Sequence, residues 1–185
     1  MAPPDSLIIR PIRQDDVLNK LSLGTAEAEP LKRFLRQKAI RFEHAFLART
    51  YVLVGSDAAV SGGRVWGYVT LVACDVRTTD QNCPEADAGW QKDHNMPAIK
   101  LARLAVAAEL QGKRLGRKLL DFAIALTMEH VAAHVGCRLL VTDAKRDSIG
   151  FYEKHGFTML DTEENKARPA PLMFVHLTKL PSAVK

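Results

Sequence analysis

The segment that most restricts the fold is a strand, a short glycine-bearing turn, a helix and a second strand in direct succession. Ala98 to Val106 is apolar and strand-like, and Gln111-Gly112-Lys113-Arg114-Leu115-Gly116 follows closely. A helix is predicted from Gly112 to about Val135, and Arg138 to Thr142 reads as the next strand. Two strands joined through a helix in this way run parallel, with a right-handed crossover. The front half reads differently. Leu7 to Ile9 is a short strand, and Thr50 to Val54 and Val65 to Ala73 flank the turn signal Ser61-Gly62-Gly63, which predicts an antiparallel hairpin. The two halves together predict an α/β or α+β domain with a mixed sheet.

Further elements complete the chain. Gln14 to Leu21 reads as a short helix. A stronger helix is predicted from Glu29 to Leu47, where Leu31, Phe34, Leu35, Ala39, Phe42, Ala45 and Phe46 recur at three and four residues and Pro30 suits the first turn. Asp147 to His155 is a short helix ended by Gly156. Phe157 to Leu160 and Leu172 to Leu177 are closing strands around a charged loop, Asp161 to Arg168. The polar stretch Asp75 to Met96, with Pro84, Gly89 and Trp90, is long for an internal loop.

A chain of 185 residues fits one globular domain, residues 1 to 185, and a domain of that size buries about 70% of its unfolded surface without staples. The N-terminal apolar run, Leu7-Ile8-Ile9, is too short for a signal-peptide core or a membrane span, so a cytoplasmic protein with no membrane association is expected. Cys74, Cys83 and Cys137 show no CxxC or metal-ligand spacing and are expected to be reduced. A net charge of +5 favours an anionic partner, either cofactor phosphates or nucleic acid, and does not separate the two.

The turn at Gln111 to Gly116 has the makings of a pyrophosphate site. A helix N-terminus offers unpaired N–H groups and partial positive charge. Glycine allows close backbone approach, and Lys113, Arg114, Arg117 and Lys118 add cations. It is no P-loop, because only three residues separate Gly112 from Gly116 and no Lys-Ser/Thr pair follows. The dinucleotide fingerprint GxGxxG is also absent. Taken alone, the turn equally suits an ordinary strand-to-helix connection with a basic first turn.

Two flanking segments add a resemblance. Leu101-Ala102-Arg103-Leu104-Ala105-Val106 precedes the loop, and Phe151-Tyr152-Glu153-Lys154-His155-Gly156-Phe157 follows downstream. The combination resembles the GNAT superfamily of N-acetyltransferases, whose loop reads [QR]-x-x-G-x-[GA] and whose closing motif pairs an aromatic residue and Tyr with a following Gly-Phe. The resemblance covers residues 98 to 157. It implies the GNAT fold: a mixed, mostly antiparallel central sheet with splayed parallel strands and flanking helices. It also implies acetyl-CoA as cosubstrate, with no metal. The pantetheine arm would lie along Leu104, Ala105 and Val106, and the pyrophosphate would sit on Gln111, Gly112, Lys113, Arg114, Leu115, Gly116 and Arg117. Ser148 and Phe151 would complete the cofactor contacts, and Tyr152 would serve as catalytic acid near the thioester sulfur. One departure stands out. The first glycine of the loop motif is Arg114 here, so an arginine must fit that backbone without glycine's freedom.

The front half looks like the toxin branch of this family. The carrying segments are Leu31 to Ala39, Arg49-Thr50-Tyr51-Val52-Leu53-Val54, Gly67-Tyr68-Val69-Thr70-Leu71 and Met96 to Val106. The resemblance implies acetylation of the α-amino group of aminoacyl-tRNA, which inhibits translation. It also implies a ribbon–helix–helix antitoxin and a possible homodimer. Two alternatives stay open: a GNAT enzyme acting on a small-molecule amine or a protein N-terminus, and a non-catalytic acyl-CoA- or RNA-binding module.

The chemistry weighs on the acceptor. The attacking amine must be neutral. Deprotonating a lysine amine at neutral pH costs about 4.6 kcal/mol, against about 1 kcal/mol for an α-amine. No carboxylate holds a position that compels a base role, which favours the α-amine. The oxyanion needs a fixed donor, and the backbone N–H near Val106 is the candidate by family analogy.

The segment from Leu31 to Thr50 is basic: Lys32, Arg33, Arg36, Lys38, Arg41 and Arg49 stand against a single acid, Glu43. Lys32, Arg33 and Arg36 are the candidate RNA contacts, although a solvated helix face has the same composition. His130 and His134 have i,i+4 spacing but lack the Glu of HExxH and a third ligand, so no metal site is expected. Trp90 and His94 are either acceptor-site or incidental loop residues.

Overall fold

The computed structural model describes residues 6–76 and 95–180. The strands are β1 (Leu7–Pro11), β2 (Arg49–Gly55), β3 (Gly67–Val76), β4 (Met96–Val106), β5 (Leu139–Asp143), β6 (Thr158–Met159) and β7 (Leu172–His176). The helices are α1 (Glu29–Gln37), α2 (Ala39–His44), α3 (Leu115–Leu126), α4 (Ile149–Glu153) and α5 (Glu163–Ala167). The hydrogen-bonded order of the strands is β1-β2-β3-β4-β5-β7-β6. Pairing is antiparallel for β1–β2, β2–β3, β5–β7 and β6–β7, and parallel for β4–β5. The expected mixed, mostly antiparallel sheet is therefore present, and its parallel pair is the one the strand–helix–strand segment requires.

Two compact units share β3 and β4. One comprises the chain up to Val72 with Leu101–Ala123; the other comprises Ala73–Lys100 with the chain from Ile124 onward. In the first unit, β2 and β3 read as near-continuous apolar runs because both faces are covered. Val52, Leu53, Val54, Trp66, Tyr68, Leu101, Leu119 and Leu120 are all fully buried. Burying each such side chain contributes about 1.5–3 kcal/mol. In the second unit, Met96, Ala98, Leu139 and Val141 form a buried cluster with Cys74, Val76, Leu172 and Phe174 packed against it. The parallel register there runs from Ala98↔Leu139 to Lys100↔Val141. Beyond it β4 continues to Val106 in the first unit, while β5 stays paired with β7 as far as Asp143↔Leu172.

Several expectations need correction. The predicted helix over Gln14 to Leu21 does not form. Val17 instead makes an isolated bridge to Arg64, and Asp16 is buried against Arg10. The carboxylate of Asp16 accepts from both terminal nitrogens of Arg10, at 2.6 and 3.0 Å, and from the amides of Arg13 and Gly63. Asp15 accepts from the Gly62 amide at 2.7 Å. A Cβ on Gly62 would stand 2.2 Å from the Asp15 carbonyl oxygen, so only glycine fits that approach. These two aspartates spend their acceptors on a distant turn rather than on a helix of their own.

The predicted helix from Glu29 to Leu47 divides at Lys38, whose φ of −124° leaves helical geometry, into α1 and α2. Phe34, Leu35 and Ala39 are buried as the periodicity demands, but Phe46 and Leu47 are exposed. The helix expected from Gly112 starts three residues later at Leu115, because Gly112 and Arg114 are left-handed. Past Leu126 it continues in wider π-type turns to Ala132. The charged stretch Asp161 to Arg168 contains α5, capped by the Thr162 hydroxyl accepting from the Asn165 amide. Asn165 then bonds Leu172 N–H and the carbonyls of Leu160 and Leu172, fixing that loop to β7. The long polar stretch is shorter than expected at both ends, since Asp75 and Val76 belong to β3 and Met96 to β4. Cys83, Trp90 and His94 lie outside the described residues.

Candidate active site

In the first unit, the end of β4 and the start of α3 carry the loop expected to bind the cofactor's phosphates. Ala107 N–H donates to Trp66 O at 2.7 Å, which ties the end of β4 to the start of β3. Gly67 stands so close that a Cβ there would lie 2.9 Å from the Ala105 carbonyl oxygen. A single-turn 3-10 helix, Ala108–Leu110, then leads into the loop. Gln111 N–H bonds Ala108 O, and the Gln111 side-chain amide donates to Val106 O at 3.2 Å. Gln111 thus braces the loop against the strand, a role its spacing alone does not reveal.

Gly112 has φ +79° and Arg114 φ +60°. Alternation into the left-handed region turns successive N–H groups toward one concave side. The amides of Leu115, Gly116 and Arg117 have no carbonyl one turn back in α3. Residues Gln111 to Arg114 are exposed, so the Lys113 and Arg114 side chains face solvent around these amides. Arg117 pairs with Asp121 at 3.3 Å. Lys118 differs from expectation: its Nζ donates to Leu7 O at 2.7 Å, which ties α3 to β1 rather than adding charge to the nest. Leu104 and Val106 are half-buried, and Ala105 is buried. The loop fits a pyrophosphate, offering open amides with cations at its rim.

In the second unit, β5 leads through a single turn at Arg146–Ser148 into α4. Ser148 stands at the N-cap of α4 and is half-buried; no side-chain cap is made, and its amide donates to Lys145 O at 2.8 Å. Gly156, at φ +84°, stops the chain continuing as helix. Its neighbour Phe157 donates its amide to Tyr152 O at 3.1 Å. This closing turn sets the Tyr152 ring between Phe151 (5.2 Å, edge-on) and Phe157 (5.3 Å). Tyr152 is 7% exposed and hydrogen-bonds the Thr142 side chain on β5. Burial pushes its phenol above the ordinary tyrosine range, while the Thr142 hydrogen bond pulls it partway back. The net effect keeps the hydroxyl protonated at neutral pH. Thr142 carries no motif, and only its position opposite Tyr152 marks it.

The other candidates fall elsewhere. On α1, Arg33 and Arg36 are exposed, while Lys32 is half-buried and pairs with Glu29 at 3.0 Å. His130 and His134 are exposed. Burial raises the thiols of Cys74 and Cys137, both free, above their ordinary range.

Strand order, glycine-bearing loop and buried aromatic–tyrosine pair define an acyl-CoA-dependent acyltransferase architecture. The model of the acetyltransferase (GNAT) domain matches residues 48–159, and the chain belongs to that family. Among solved structures, a Tyr-to-Phe mutant of the AtaT toxin is similar over 96% of this chain and 93% of its own, with 23% identity and a TM-score of 0.77. AtaT complexed with acetyl-methionyl-tRNAfMet is similar over 94% and 96%, with the same identity and TM-score. A Tyr-to-Phe mutant of KacT is similar over 93% and 95%, again at 23% and 0.77. At such identity these likenesses establish the shared fold.

Proposed function

We propose that this protein transfers acetyl from acetyl-CoA to the α-amino group of aminoacyl-tRNA and so inhibits translation as the toxin of a toxin–antitoxin pair. The observation that carries the reading is the left-handed, solvent-facing amide loop at Gly112–Arg114 in the first unit; the buried, protonated Tyr152 of the second unit supports it independently. The fold-level neighbours support the choice of substrate. One is AtaT with acetyl-methionyl-tRNAfMet, and another is AtaT with the C-terminus of the antitoxin AtaR and acetyl-CoA.

In this reading the amides of Gly112 and Arg114 to Arg117 hold the pyrophosphate, with Lys113 and Arg114 adding charge. Leu104, Ala105 and Val106 line the pantetheine arm, and Ser148 and Phe151 complete the cofactor contacts. Bound acetyl-CoA supplies the activated thioester. The neutral α-amine attacks the thioester carbonyl, the C–N bond forms and the C–S bond breaks. The Val106 amide serves the oxyanion. Tyr152 Oη gives its proton to the departing sulfur, and the proton lost by nitrogen passes to water. An α-amine needs about 1 kcal/mol to become neutral at pH 7, so a dedicated carboxylate base is dispensable.

The remaining parts of the proposal are a single functional domain, a cytoplasmic setting, a homodimer and a ribbon–helix–helix antitoxin. The test is incubation with labelled acetyl-CoA and total charged tRNA. Label on the aminoacyl group is the expected result. Label only on small amines or protein N-termini supports a different acceptor, and no transfer at all leaves a binding module.

A further inference from the structure

The segment after α2 departs from the burial that the sequence periodicity demands. Phe46 is 81% exposed and Leu47 57% exposed, directly after a helix whose Phe42 packs edge-on against Phe34. Phe46 also holds a left-handed backbone, φ +55°. Glycine adopts that conformation freely, whereas a side chain pays a steric penalty. The chain therefore places a phenyl ring in water at a position where glycine is the stable choice.

The ring is also braced. Arg49 lies over it, guanidinium to centroid 4.9 Å. Arg49 Nη1 is held by Glu43 Oε1 at 2.7 Å, and the other Glu43 oxygen accepts from Thr50 N–H at 2.8 Å. The backbone of β2 thus fixes Glu43, Glu43 fixes Arg49, and Arg49 backs one side of the Phe46 ring. Glu43 is the sole acid between Arg33 and Arg49, and this brace engages it. Arg33 and Arg36 on α1, Arg41 on α2 and Lys38 between the two helices remain exposed.

Charge complementarity selects a polyanion for this surface, and a flat, immobilised ring selects a planar group. Single-stranded RNA carries both in each nucleotide. We propose that Phe46 is a stacking platform for an unpaired base of the RNA substrate, with the neighbouring arginines on its phosphates. The inference rests on the tRNA reading above and adds to it a specific base contact and the residues that hold it.

The test uses the full chain, with affinity for charged tRNA measured at fixed salt, alongside thermal stability and acetyl-CoA affinity. Phe46→Gly is the informative variant because it removes the ring and relieves the backbone together. The proposal expects RNA affinity to fall roughly 5- to 150-fold, the loss of one stacked base. It also expects stability to hold or rise, and Phe46→Trp to bind RNA within about threefold of wild type. Phe46→Gly binding RNA as tightly as wild type overturns the stacking proposal while leaving tRNA acetylation intact as a function. So does a change in oligomeric state with unchanged RNA affinity, which would assign the ring to a protein partner. Wild-type protein that ignores tRNA altogether defeats the functional reading, and the platform with it.

Discussion

Arg114→Gly is expected to make the protein more stable and its affinity for acetyl-CoA slightly weaker. Arg114 occupies φ +60° in the loop after β4, where the family motif has glycine. A left-handed non-glycine residue costs about 1–2 kcal/mol. Glycine returns about 0.4–1 kcal/mol of that, because it adds entropy to the unfolded chain. The difference is a net gain of about 0.5–1 kcal/mol, or about 1–4 °C in Tm for a domain of this size. The amide that the loop presents is unchanged, and only the exposed guanidinium is lost. One unit charge at about 4 Å in water is worth about 1 kcal/mol, so acetyl-CoA affinity should fall no more than about fivefold at low salt. That loss should shrink as salt rises. Urea denaturation and calorimetric titration of acetyl-CoA measure both quantities. Arg114→Ala is the control, expected to show the same salt-dependent affinity loss without the stability gain. A destabilised Arg114→Gly would refute the strain argument. A salt-insensitive loss beyond about twentyfold would show that the arginine side chain, rather than its amide, holds the cofactor.

Tyr152→Phe keeps the ring contacts with Phe151 and Phe157 but deletes the acid; kcat should fall about 10²–10⁴-fold with little change in acetyl-CoA affinity. Wild-type turnover would reject the acid role. Arg33→Glu with Arg36→Glu should weaken tRNA acetylation and spare acetyl-CoA affinity, since both side chains lie exposed on α1; unchanged tRNA kinetics would remove this helix from the interface. Asp16→Ala should cost about 3–5 kcal/mol in denaturation, because Arg10 is then left as an unpaired charge at 7% exposure. For the intact pair the pH dependence follows from Asp16. Burial pushes its carboxyl up, but Arg10 and the Arg13 and Gly63 amides outweigh that and hold it below the usual carboxylate range. The folded pKa is depressed, so this stability is present above about pH 4 and is lost as pH falls through the folded value. A variant whose acid unfolding limb matches wild type would contradict it.

Local pattern carried much of the architecture. The strand–loop–helix–strand order from Ala98 to Thr142 implied the parallel β4–β5 pair, because a helical crossover allows no other direction. The Gln111 to Gly116 loop and the Phe151-Tyr152 pair were legible as motifs, since each needs only neighbouring residues to define its turn or helix end. The failures fell where distant partners compete with local propensity. Asp15 and Asp16 look like helix residues until Gly62, Gly63 and Arg10 claim their oxygens. Lys118 looks like a phosphate ligand until β1 offers the Leu7 carbonyl.

The sequence by itself determined the order of the strands, the family motifs and the residue types of the Gln111–Gly116 loop, all set by contacts within a few residues or by helical and strand periodicity. Only the tertiary structure shows that Arg114 takes a left-handed backbone, that Gln111 braces Val106, and that Thr142 meets Tyr152. It also decided that Phe46, periodic with the core, stands in water. Periodicity records which face a side chain shares, but burial and bonding depend on what the rest of the chain brings to that face.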